Sequence, residues 1–285
     1  MRHGVDLSGC FPTGRHYPGI AHLLRVVASG LAEEFPGEHP ITDLRMVSID
    51  TETTGRDPNS DRIVEIACVS WDGTGVCRRK SWLVNPGRPI PKEAFDVHGI
   101  SDEQVADQPA FAQIAEEVLA EMDRAVPLAY NAEYDRKVLH AELGRIPGGA
   151  PRQPPAVRRA VEWIDPLIWA SELHRAEKGK SLGEVSQRLG IEIERAHRAE
   201  HDAEAALRVF LAFTRDARVP RTYGALMHEQ RRLNRLLEDE RRIWRMRMAQ
   251  AAASAPAAGA PSAASGPLPA APPPPPLPIQ TSLTP

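Results

Sequence analysis

Between Leu44 and Thr214 the apolar residues switch repeatedly between a period of two and a period near 3.6, and the order of those switches admits few folds. "LRMVSID" and "RIVEIACVSW" have the branched, alternating character of strands, "GTG" at Gly73 to Gly75 marks a hairpin turn, and "CRRKSWLVNP" is the returning strand. Three antiparallel strands therefore come first. Helical spacing follows in "FAQIAEEVLAEM", a short buried strand in "VPLAY", a helix in "AEYDRKVLHAEL", a further strand in "AVEWID" and a helix in "PLIWASELH". "SLGEVSQRLG", with a serine cap and Gly190 as its stop, and "AEHDAEAALRVFLAF" predict two more helices. The order β-β-β-α-β-α-β-α-α-α implies an α/β domain: a mixed five-stranded sheet flanked by helices. A hydrophobic share of 42% over 285 residues is enough for a core of that size.

Extensions flank this domain, which the pattern places at 44–214. In residues 1–43, Ile20, Leu23, Leu24, Val27, Leu31 and Phe35 repeat at helical spacing until Pro36-Gly37 stops them. Over 215–250, Leu226, Leu233, Leu236, Leu237 and Ile243 recur within an arginine-rich stretch, predicting an amphipathic helix. Acids from Glu229 to Glu240 interleave with its arginines, favouring a solvated packing helix over a phosphate track. Residues 251–285 hold 11 of the 27 prolines and no charge, so they are expected to be a disordered Pro/Ala-rich tail. The net charge of −3 provides no global attraction to nucleic acid. Three cysteines without CxxC spacing argue against a disulfide framework or a zinc cage. No run of eighteen apolar residues and no secretory leader is present, so the expectation is a cytoplasmic protein that avoids membranes.

The candidate chemistry begins in "SIDTETTG". Residues two apart in a strand face the same way, so Asp50 and Glu52 project together from the strand's carboxyl end. Two such charges repel unless a cation sits between them, and hard oxygen ligands favour Mg²⁺ or Mn²⁺. Asp135 of "NAEYD" falls in the first turn of a helix that Asn131 is placed to cap, a position the helix dipole alone also favours. In "HRAEHD", His197 and Asp202 lie five residues apart, about 140° on a continuous helix. A shared site therefore needs His197 on the loop and Asp202 in the first turn after it.

"DTETTG", "NAEYD" and "HRAEHD" resemble, in order and spacing, the three motifs of the DEDDh, or DnaQ-like, 3′–5′ exonucleases, a family that includes proofreading subunits of bacterial DNA polymerase III. Between the motifs, "RIVEIACV", "VHGISDEQV" and "IDPLIWA" are similar to further family segments. The resemblance implies a ribonuclease H-like fold and a hydrolase acting on single-stranded 3′ ends, DNA rather than RNA, releasing nucleoside 5′-monophosphates in proofreading or repair. Asp50, Glu52, Asp135 and Asp202 would hold two Mg²⁺ or Mn²⁺ ions, with His197 the general base. Thr51, Thr53, His98 and Asn131 would contact substrate. Tyr134 stands where the family often has phenylalanine, and His201 where it often has an acidic or small residue. "QTSLTP", Gln280 to Pro285, resembles peptides that bind bacterial sliding clamps, so a clamp or a DNA polymerase is the expected partner. An exoribonuclease of the same superfamily is the alternative, since nothing above reads a 2′-hydroxyl. A non-catalytic docking module is the alternative of another class.

Overall fold

The computed structural model describes residues 30–254 except Glu33, Arg195 and Ala196. Strands β1 (Met46–Thr53), β2 (Ile63–Trp71), β3 (Val76–Leu83) and β4 (Val126–Leu128) form one sheet in the order β3-β2-β1-β4. The first three strands are antiparallel neighbours, and β4 joins β1 in parallel. The sheet is thus mixed, with β1 inside it. The turn between β2 and β3 is held by Asp72, whose Oδ1 accepts from the N–H groups of Thr74 and Gly75, while Gly73 takes φ +95°.

The fifth expected strand, "AVEWID", is reduced to a single parallel bridge between Leu128 and Ile164. Ile164 N–H donates to the Pro127 carbonyl at 2.9 Å, and Ala129 N–H donates to Ile164 at 3.1 Å. Pro127 has no N–H to return on that side, which cuts the ladder short.

Eight helices are seen among the described residues: α1 (Lys92–His98), α2 (Asp102–Val105), α3 (Phe111–Met122), α4 (Ala132–Gly144), α5 (Pro166–Leu173), α6 (Leu182–Arg188), α7 (Ala199–Phe213) and α8 (Tyr223–Ser254). Alternation along β1 divides the core. Met46, with Ala67 and Val69 of β2, packs under α7 and the start of α8; Val47 and Ile49, with Ile66 and Cys68, pack under α3 and α4. On α7 the buried residues Ala199, Ala203 and Ala206 are small, so the helix lies close on the sheet and carries its first turn to the end of β1.

The N-terminal helix expected over Ile20 to Phe35 lies outside the described residues for most of its length, and the described end around Leu31 and Phe35 forms turns and bends. That end is strapped to α8. Gly224 N–H donates to Gly37 O at 2.7 Å, and a Cβ on Gly224 would come within 3.0 Å of the same oxygen. Residues 251–254, expected to open the Pro/Ala-rich tail, are instead the last residues of α8; the rest of the tail, with "QTSLTP", lies outside the described residues.

Helix α8 does not present the single apolar face expected of it. Leu226 and Leu233 are buried, while Leu236 and Ile243 are exposed. At 100° per residue Leu226, Leu233 and Leu237 fall on one stripe, with Leu236 and Ile243 some 80–100° around from it. No helix among the described residues is long and apolar enough to cross a membrane.

Candidate active site

The strand end and the start of α7 meet. One carboxylate oxygen from each of Asp50, Glu52 and Asp202 lies within 4.8 Å of the others, the only such acidic or His/Cys group of three among the described residues. Asp202 sits in the first turn of α7, which begins at Ala199, and His197 stands on the loop before it. His197 has φ +62°, a left-handed conformation uncommon for a non-glycine residue, and its N–H donates to Asp202 Oδ2 at 2.9 Å. Its ring is exposed. His201, one residue before Asp202, turns instead toward Glu194, 3.9 Å away.

Asp135 is buried on the first turn of α4, apart from the group of three, and its Oδ1 accepts the Thr51 hydroxyl at 2.7 Å. The Thr51 hydroxyl proton is therefore engaged in orienting an acid. The Thr53 hydroxyl is likewise occupied: it meets Gly55 O at 2.6 Å and the Tyr134 hydroxyl at 2.7 Å. Tyr134 also donates to Gly55 O at 2.7 Å, so its extra oxygen relative to phenylalanine pins the loop after β1.

Asn131 occupies the cap position of α4, but with φ +66° its side chain makes no cap bond. The cap comes from Asp165, whose two oxygens accept the N–H groups of Asn131 at 3.0 Å and Ala132 at 3.1 Å. Asn131 keeps an exposed amide. His98 is buried at the end of α1; its Nδ1 accepts from Ile100 N–H at 3.0 Å, which places the ring proton on Nε2. Nε2 lies near the Thr53 backbone yet meets hydrogen-bond geometry with no protein atom.

The electrostatics are those of buried, crowded acids. Burial, then Asp135, Asp202 and Glu52, push Asp50 well above the usual carboxylate range. Burial, with Asp202 next, pushes Glu52 up to about 8. Asp135 rises to about 7 by burial, against the Thr51 hydrogen bond, and burial raises Asp202 against the His197 N–H. An all-oxygen donor set under mutual repulsion fits a hard divalent cation, whose charge would reverse those shifts.

Two acids that sequence reasoning passed over brace this arrangement. Glu65 lies opposite Glu52 in the β1–β2 ladder and is buried. It receives Arg198 through two bonds of 2.7 and 3.0 Å, Ala199 N–H at 3.2 Å and the Ser81 hydroxyl at 3.0 Å. Burial alone would raise its pKa, but these donors outweigh it and hold the carboxylate below its ordinary value. Glu65 thus fastens the start of α7, and with it His197 and Asp202. Its signal in the sequence is an acid inside the apolar run of "RIVEIACV". Asp165 is the second such acid, pushed up to about 6 by burial despite three backbone donors; its signal is the Asp-Pro pair at a helix start.

A sheet whose inner strand ends in clustered carboxylates, faced by two helix starts, defines a class of α/β protein suited to holding divalent cations beside a ligand. A sequence model described as Exonuclease, the RNase T family, matches residues 47–210, and the chain belongs to that family. A DNA polymerase III subunit epsilon-like protein of Rhodobacter capsulatus is 36% identical over 211 residues, covering 71% of this chain and 28% of that protein. The DNA polymerase III subunit epsilon of Treponema pallidum is 29% identical over 163 residues, covering 57% of this chain and 73% of that one. Among solved structures, E. coli exonuclease I in complex with a dA16 oligonucleotide shares the fold, with a TM-score of 0.52 at 20% identity over 65% of this chain and 43% of that one.

Proposed function

We propose that the chain is a metal-dependent 3′–5′ exonuclease that removes nucleoside 5′-monophosphates from single-stranded DNA ends. The observation that carries this reading is the meeting of Asp50, Glu52 and Asp202 at one strand end, with His197 on the adjoining loop. Asp50, Glu52 and Asp202, with Asp135 beside them, would hold two Mg²⁺ or Mn²⁺ ions. Bound divalent cations supply Lewis-acid chemistry, acidifying water and neutralising charge that builds on phosphodiester oxygens. His197, exposed and tethered by its backbone to Asp202, accepts the proton of the attacking water. His98, kept neutral by burial, offers its free Nε2–H to the terminal nucleotide, and the exposed Asn131 amide would contact the substrate as well. The Thr51 hydroxyl proton serves Asp135 and the Thr53 hydroxyl serves the loop, so substrate would meet these residues through the backbone or as acceptors.

The test is incubation with end-labelled single-stranded DNA, duplex DNA and RNA, with and without Mg²⁺ or Mn²⁺. Metal-dependent shortening from the 3′ end, fastest on single-stranded DNA, is expected; preference for RNA would move the chain to the exoribonuclease reading, and no shortening of any polymer to the docking-module reading. A bacterial sliding clamp is the proposed partner for Gln280 to Pro285, and a cytoplasmic location accompanies that role. A short peptide on a long leash raises the local concentration of the enzyme at DNA. A fluorescent peptide of residues 270–285 should bind the clamp saturably, and flat anisotropy up to high clamp concentration would remove the clamp from the proposal.

A further inference from the structure

Helix α8 lies beyond the family-matched segment 47–210, yet it carries a glutamine where its leucine stripe calls for an apolar residue. Gln230 falls between Leu226 and Leu233 and is 4% exposed. Its amide is committed on both sides. Oε1 accepts Asp165 N–H at 2.9 Å and Trp169 Nε1–H at 3.3 Å, and Nε2 donates to Trp163 O at 2.9 Å. Gln230 thus clamps the short segment 163–165 from the far side of α5.

That segment ends in Asp165, which caps two helices at once. Its Oδ1 accepts Leu167 N–H at 2.9 Å in its own helix α5 and Asn131 N–H at 3.0 Å, while Oδ2 accepts Ala132 N–H at 3.1 Å at the start of α4. Asp135 follows Ala132 by three residues, within the same first turn, and is held on its other side by the Thr51 hydroxyl. A cap fixes the position and direction of the first turn of a helix, because that turn's N–H groups have no partner inside the helix. Asn131 leaves this cap unmade, so the position of Asp135 along the sheet edge depends on Asp165, and the position of Asp165 depends on Gln230.

We infer that Asp165 and Gln230 are positioning residues for Asp135: a brace running from the C-terminal helix through a shared cap to the cation site. The inference rests on the reading above that Asp135 takes part in holding the cations. Residues that orient a metal ligand from behind typically change metal affinity or activity by about 10- to 100-fold when replaced.

The test is Mn²⁺ binding to the full chain, followed by the EPR signal of free Mn²⁺ in the absence of DNA, at a temperature well below each variant's melting point. Asp165→Asn keeps the volume of the side chain but puts an NH₂ where Ala132 N–H needs an acceptor. Gln230→Leu removes all three of the clamp's bonds. Both should weaken Mn²⁺ binding by about 10-fold or more. In cleavage assays the Asp165→Asn and Gln230→Leu variants should show a lowered kcat that added Mn²⁺ restores, with KM for DNA unchanged. A role in stability alone would lower the melting temperature and leave Mn²⁺ affinity untouched; wild-type affinity in folded Asp165→Asn, or in folded Gln230→Leu, overturns the brace. Should Gln230→Leu not fold, Asp165→Asn decides alone. A wild type that binds Mn²⁺ and cleaves nothing would overturn the nuclease reading, while the variants would still decide the brace.

Discussion

Asp50→Ala is expected to bring cleavage of single-stranded DNA to background while the fold stands. The carboxylate is one of three whose oxygens converge within 4.8 Å, and among the described residues no arginine or lysine forms an ion pair with it, so its removal breaks none. The loss should exceed the roughly 10²–10⁴-fold typical of deleting a proton-transfer group, because the cation site itself is dismantled. A second readout is stability without metal. Glu52, raised from 4.5 to about 8, and Asp135, raised from 3.8 to about 7, keep protons in the folded chain that the unfolded chain has already released. Over about pH 4 to 8 the folded state therefore binds more protons, and stability falls as pH rises through that window. Metal-free wild type should melt at a lower temperature at pH 8 than at pH 5, and Mn²⁺ should remove the difference by binding the folded state. Asp50→Ala should show a shallower fall, since one source of repulsion is gone. An unfolded variant, near-native turnover in Mg²⁺, or a wild-type melting point that rises from pH 5 to 8 would each sink this account.

What the sequence made legible, and what it hid, follows from the range of the interactions involved. Helix α3 runs Phe111–Met122 and α7 runs Ala199–Phe213, the same bounds as the apolar periodicity, because each buries one continuous stripe against the sheet. Helices α1 and α2, of seven and four residues, are too short for a period to register, and the sequence reading missed them although Ser101 and Gln104 form a capping box at the second. "AVEWID" has the composition of a strand, but Pro127 in its neighbour denies it a ladder. The positions of Asp50, Glu52 and Asp202 at the end of one strand and the start of one helix were readable because both elements are local. The groups that hold the site were not. Glu65 reaches Arg198 across 133 residues of chain, Asp165 reaches Asn131 across 34, and Gln230 reaches Asp165 across 65. No local pattern encodes such pairs; a buried acid in an apolar strand, or a glutamine in a leucine stripe, signals only that a partner exists.

His197→Ala should lower the single-turnover rate by about 10²–10⁴-fold, and His201→Ala should change it little. The two histidines lie four residues apart and both precede Asp202, so spacing alone leaves either in contention. The start of α7 at Ala199 separates them. His201 is inside the helix, one residue and therefore about 100° from Asp202, and its Nδ1 faces Glu194. His197 is outside the helix, its backbone bonded to the Asp202 carboxylate, and its positive φ turns that N–H toward the acid while the ring stays open to solvent. Of the two, only this histidine is both tied to an acid of the cluster and exposed beside it. The residual activity of His197→Ala should rise with pH more steeply than that of wild type, because hydroxide then substitutes for the missing proton acceptor. Rates measured from pH 6 to 9 in saturating Mn²⁺ decide it. A larger loss in His201→Ala, or a His197→Ala profile parallel to wild type, would assign proton transfer to another group.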